Sequence, residues 1–146
     1  MFQKLIQTDD SYSALVIRLT LALVMFPHGA QKVLGWWGGN GFSGTMGFFT
    51  ESAGLPWIVA FLVIMGEFLG PIGLAVGFLS RFAAFGLALI MTGAIVMVHG
   101  QYGFFMDWFG QQGGQGFEYH LLVIGAAIAV MIQGSGAFSI DRKLSA

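Results

Sequence analysis

A chain of 146 residues that is 56% hydrophobic and only 9% charged has too few ionisable side chains to solvate a globular surface, because a soluble domain averages about 25% charged residues. Its formal net charge of −1 offers no basic footprint for nucleic acid. With no cysteine, disulfides, iron–sulfur clusters and dithiol relays are excluded.

The composition fits an all-α, integral membrane four-helix bundle, a single domain over residues 1–146 whose first partner is the lipid bilayer. In chain order, "MFQKLIQ" reads as a short amphipathic turn along the membrane surface. The first span is expected at about 13–34. It follows a polar stretch with Asp9 and Asp10, and no small-residue cleavage site ends it, so it reads as an anchor and not a cleaved signal. Further spans are expected at about 56–79, 82–98 and 117–132, with a tight turn at Ser80 and Arg81. A bilayer core needs about 20 apolar residues, so the last two are short. All four are continuously apolar and do not alternate, which marks helices and not barrel strands. Gly66, Gly70, Gly73 and Gly77 on the second span, and Gly125 and Ala129 on the fourth, are spaced for close helix packing, and these Gly-rich faces leave room for homo-oligomerisation.

Lys4, Arg81, Arg142 and Lys143 fall on one side of four alternating spans. The positive-inside rule puts that side, with both termini, in the cytoplasm, and the membrane is then the inner (plasma) membrane. The two outward loops combine glycine with Trp36, Trp37, Trp57 and Trp108. That pattern fits an aromatic belt at headgroup level. It also fits a lid folded over the bundle mouth, where glycine permits the sharp turns.

The ionisable residues sort by depth at about 1.5 Å per residue. His28, Lys32, His99, Glu118 and His120 gather at the outer level, and Asp107 in the second outer loop is a candidate to join them. His28 and Lys32 are about 40° apart on a helical wheel, so they share a face. Glu118 and His120 are about 200° apart, so only one of them faces inward; Glu118 suits the helix N-terminus and His120 the interior. Arg18 and Glu67 come to similar depths on adjacent spans. A charge near the bilayer centre costs about 2.5–3.5 kcal/mol, so these two are expected to pair, either to fix register or to take part in chemistry. Pro71 cannot donate to the Glu67 carbonyl, which leaves a polar backbone group beside that carboxylate.

Arg18, His28, Gly29 and Lys32 in the first span, followed by Gly66, Glu67, Gly77 and Arg81, resemble the DoxX family over nearly the whole chain. The resemblance implies a membrane oxidoreductase subunit, such as the quinone-reducing partner of thiosulfate oxidation, or a membrane partner in oxidative-stress complexes. Chemistry and resemblance together lead to a quinone at the outer mouth. His28, Lys32 and Glu67 are the candidate proton-handling residues, and Arg18, Trp36, Trp37, His99, Trp108, Glu118 and His120 the candidate ligand-binding ones. The chain has no evident redox centre, so electrons would come from a partner protein or a bound cofactor. Two other readings stay open: a non-enzymatic bundle that binds or moves a small solute or scaffolds a redox partner, and a haem or metal site built from His28, His99 and His120.

Overall fold

The computed structural model describes residues 2–145. Among them every regular element is helical. The amphipathic start forms α1 (Phe2–Ile6), which buries Ile6. The first span is α2 (Tyr12–Leu34), opened by the Ser11 side chain accepting from the Ala14 amide and closed by Gly35 in the left-handed region at φ 72°; serine at the first position and glycine past the last are the expected end signals. The first outer loop is no coil. It makes a single turn at Trp36–Gly38, then α3 (Gly41–Gly47) and a π turn at Phe48–Ser52. Next come α4 (Trp57–Val76) and α5 (Ser80–Ala94), the latter prolonged by a π turn at Ile95–His99 and a short turn to Tyr102. After the second outer loop, α6 (Glu118–Gln133) and α7 (Ile140–Ser145) complete the described chain.

Tyr12–Leu34, Trp57–Val76 and Ser80–Tyr102 are each long and apolar enough to cross a membrane, while α6 is a shorter apolar helix. The chain is thus a membrane protein with three spanning helices by length and composition. α2 packs against α4 and α6, and α5 packs against the same two. The core between them is Leu21, Ala22 and Met25 from α2, Leu74 from α4, Ala84, Leu87 and Met91 from α5, and Val123, Ala127 and Val130 from α6. Outward-facing residues such as Leu23, Leu62, Leu89, Val96 and Leu122 are large, apolar and exposed, a surface that suits acyl chains and not water.

Gly66 and Gly70 lie against Ile90 and Leu87 of α5, in keeping with their spacing. Gly125 corrects the expectation for the fourth span: a side chain there would meet open space. α6 packs through Val123, Ala127 and Val130 instead, a stripe on which medium-sized side chains already fill the interface.

The expected pair of Arg18 and Glu67 does not form, and the reason shapes the end of the bundle that holds both termini. Arg18 is fully buried. Its Nε donates to the Ser135 carbonyl at 2.8 Å, Nη1 to Leu74 at 2.6 Å and Ala75 at 2.8 Å, and Nη2 to Ala137 at 3.1 Å and Phe138 at 3.4 Å. These five bonds use all five guanidinium N–H groups, so Arg18 keeps no donor for a ligand. Leu74 and Ala75 belong to the last turn of α4, where carbonyls run short of helical donors and attract a cation; the Leu74 carbonyl takes Arg18 in addition to the Gly77 amide. Depth counting treated each charge as lying at its own Cα, but long side chains reach toward the ends. Asp141 works beside Arg18: its carboxylate accepts from the Leu79 amide at 2.8 Å, the Ser80 amide at 3.1 Å and the Ser135 hydroxyl. It thereby caps the start of α5, whose first N–H groups need an acceptor. Gly77 is required here twice, by its φ of 69° and because a side chain would strike Ser139 and the Arg18 guanidinium.

Candidate functional site

At the other end, α2 and α4 touch backbone to backbone. Gly29 faces the Glu67 carbonyl so closely that any Cβ would collide with it and with the Phe68 Cα. That carbonyl is the one Pro71 leaves without a helical donor, and α4 nevertheless runs unbroken through Pro71. The close approach sets Glu67 beside α2. Its Oε2 meets the Lys32 Nζ at 2.6 Å. Lys32 reaches inward from the last turn of α2, and Glu67 is buried. An ion pair this close balances both charges and spares the carboxylate an uncompensated stay in a low dielectric.

His28, one turn before Lys32, lies on the side of α2 that meets α6. Its Nε2 is 3.5 Å from the Tyr119 hydroxyl, which also meets the Met25 sulfur at 3.4 Å. Beyond Tyr119 the His120 ring is 5.5 Å away between centroids, and the His99 ring is 4.1 Å from that of His120. His99 Nδ1 donates to the Gln115 carbonyl at 2.8 Å. His120 is buried at 6% exposure. Of the pair tested by the wheel argument, His120 therefore faces inward. Glu118 sits in the first turn of α6 and accepts from the Met106 amide at 2.8 Å, tying the second outer loop to the helix. Asp107 does not join the cluster, because its carboxylate caps the Gln111 and Gln112 amides in the loop.

The first outer loop folds back as a lid. Met46 of α3 is buried against Ala60 and Ile64 of α4, and Thr45 donates its hydroxyl to the Lys32 carbonyl at 3.3 Å. Beside it opens a cleft of about 340 Å³ whose lining includes Gln31, Lys32, Asn40, Thr45, Phe48 and Phe49. The tryptophans are elsewhere. Trp36, Trp37 and Trp108 are 50%, 65% and 79% exposed and line no part of this cleft, a disposition suited to an interfacial belt. The structure brings together Lys32 with Glu67, His28 with Tyr119, and His99 with His120. It leaves Arg18, Trp36, Trp37, Trp108 and Glu118 out of these contacts.

Tyr119, Gln31, Thr45, Phe48 and Phe49 escaped the sequence reading. Tyr119 had a signal, since it precedes a buried histidine at a helix start. Thr45 and the phenylalanines had none, because their place depends on the fold of a glycine-rich loop. The geometry lends the metal or haem reading no support. Among the described residues no three histidine, aspartate or glutamate side chains converge on a point. His28 turns to Tyr119, and the rings of His99 and His120 are too close for a macrocycle to enter between them.

The DoxX family model matches residues 13–100, a stretch that holds Arg18, His28, Lys32, Glu67 and His99 and stops before Tyr119 and His120. No curated protein and no solved structure matches the chain.

Proposed function

We infer the function from one premise: the chain belongs to the DoxX family. We read it as a four-span membrane protein, α6 being the fourth, that binds a quinone at the outer mouth and takes part in quinone-linked oxidoreduction with a redox partner protein supplying or taking electrons. The observation that carries this reading is the cleft between the first outer loop and α2, whose wall includes Lys32, the partner of Glu67. Its walls offer an ammonium, two amides, a hydroxyl and two phenyl faces. A quinone head is a flat, neutral ring with an acceptor oxygen at each end, and it needs donors and apolar cover together. The Lys32 charge is already balanced by Glu67, so the site favours a neutral head over an anion. A proton donor or acceptor must lie within hydrogen-bond reach of the reacting oxygen; Lys32 lines the cleft and meets that condition, Glu67 would exchange protons through its pair with Lys32, and His28, one turn before Lys32 and outside the lining, would resupply them. The Gly-rich groove between α4 and α5, lined by Gly66, Gly70 and Gly86, is the face on which a second copy would pack.

Protein purified in mild detergent is expected to retain a lipid-extractable quinone, and Lys32→Met to lower that content about tenfold, the equivalent of about 1.4 kcal/mol of binding. Equal quinone content in the two proteins overturns the assignment.

The cytoplasmic side is assigned from Lys4, Arg81, Arg142 and Lys143, with the inner membrane as the location. Because the chain has no cysteine, single cysteines report topology directly. Asn40→Cys is expected to react with an impermeant maleimide added to intact cells, and Ser145→Cys only after lysis. The opposite pattern reverses the orientation.

A further inference from the structure

Two imidazoles at the outer end have no part in the cleft, and their arrangement asks for an explanation. His99 closes the π turn that prolongs α5. The wider i→i+5 turn carries it away from where a continued α-helix would set it, and its ring lies 4.1 Å from that of His120, inclined by 41°. A carbonyl only accepts, so the bond to Gln115 keeps a proton on His99 Nδ1 and leaves Nε2 of the neutral ring with an open lone pair. Gln115 is exposed, so His99 is the member of the row next to the outer aqueous face. His120 is buried, and its Nδ1 has no hydrogen-bond partner among the described residues. Buried polar atoms are almost always paired, and an unpaired one calls for a reason.

The groups around His120 are His99 from α5, Tyr119 on its own helix and His28 from α2. Lys32 and Glu67 lie beyond His28, and Glu118 is held by the Met106 amide. Through Tyr119, whose hydroxyl meets His28 Nε2, neighbouring rings lead from His99 by way of His120 and Tyr119 to His28, on the exposed side of the contact between α2 and α6. Two facing imidazoles in a low dielectric do not both carry charge, so the pair holds one extra proton at most. We propose that His99 and His120 share a single proton and deliver it from the outer aqueous face, by way of Tyr119, to His28. The proton enters on His99 Nε2 and passes to the unpartnered His120 Nδ1. His120 releases its Nε2 proton to the Tyr119 oxygen as the hydroxyl gives its own to His28. No bond other than N–H and O–H changes, and no electron moves.

The purpose of such a relay rests on the quinone reading, because reducing a buried ring requires protons; the relay itself is tested without a quinone. The protein is labelled with 15N-histidine and placed in phospholipid nanodiscs, where acyl chains cover the outer edge of His28. NMR exchange measurements give the rate at which the His28 ring proton trades with water. His120→Phe and His99→Gln are each expected to slow that exchange about a hundredfold, the usual worth of a positioned proton carrier, with the His28 titration midpoint nearly unchanged. Glutamine keeps a donor for the Gln115 carbonyl, so the second variant decides the matter if the first does not fold. Exchange at the wild-type rate in a folded variant overturns the relay. Binding of ubiquinone-1 in the same discs is scored separately: slowed exchange without any binding leaves the relay standing and removes the quinone reading.

Discussion

Replacing Arg18 with methionine is expected to destabilise the protein by about 3–5 kcal/mol, the range found when one member of a buried charged network is removed. Five carbonyls and the Asp141 carboxylate lose their common cation, and those of Leu74, Ser135 and Ala137 belong to buried residues. Denaturant unfolding in micelles measures this. A double-mutant cycle then separates the two ends of the molecule. Arg18→Met and Glu67→Gln are expected to add with no coupling. Lys32→Met and Glu67→Gln are expected to couple by about 0.5–3 kcal/mol, as residues in contact do. Coupling between Arg18 and Glu67 instead would contradict the observed partners.

Gly29→Val is expected to cost about 1–3 kcal/mol or more, because overpacking forces backbone to move and the obstacle is the Glu67 carbonyl and not a flexible side chain. The displacement also pulls Glu67 away from Lys32, so the variant should lose ligand binding along with stability. Gly125→Val is the control: that position opens on free space, and in the same unfolding assay it is expected to stay within about 0.5 kcal/mol of wild type, as surface changes usually do. Equal losses at both positions would show that the α2–α4 contact is not as tight as the Gly29 geometry requires.

These effects sit where the sequence was partly silent. The spans were legible because a continuous apolar run of the right length has few other fates. His28, Lys32, His99 and His120 were legible as a group because charge in such a run is costly and collects where it can be satisfied. What remained hidden was pairing. Arg18 finds its acceptors more than a hundred positions along the chain, at Ser135 and Ala137, and backbone carbonyls leave no mark in a sequence. The lid was hidden for a different reason. "GFSGTMG" is rich in glycine, each costing about 1 kcal/mol in a helix, and only the burial of Met46 against Ala60 and Ile64 makes a helix of it. The tryptophans misled because an aromatic in an outer loop looks the same whether it faces a ligand or lipid headgroups.

The tie between the two ends of the chain reaches further than stability. Thr8 holds the Gly136 amide, the Ser11 carbonyl holds that of Ala137, and Asp10 pairs with Arg142. During synthesis the first span enters the membrane long before residues 135–138 exist. Throughout that interval the Arg18 guanidinium has no carbonyl cradle from that segment, and its long side chain can reach toward the headgroups on the side of the termini. α2 can be drawn to its final depth and α4 and α5 locked at their ends only when the closing segment arrives, so a ribosome that stalls short of it leaves behind an open set of helices with a charge still seeking water.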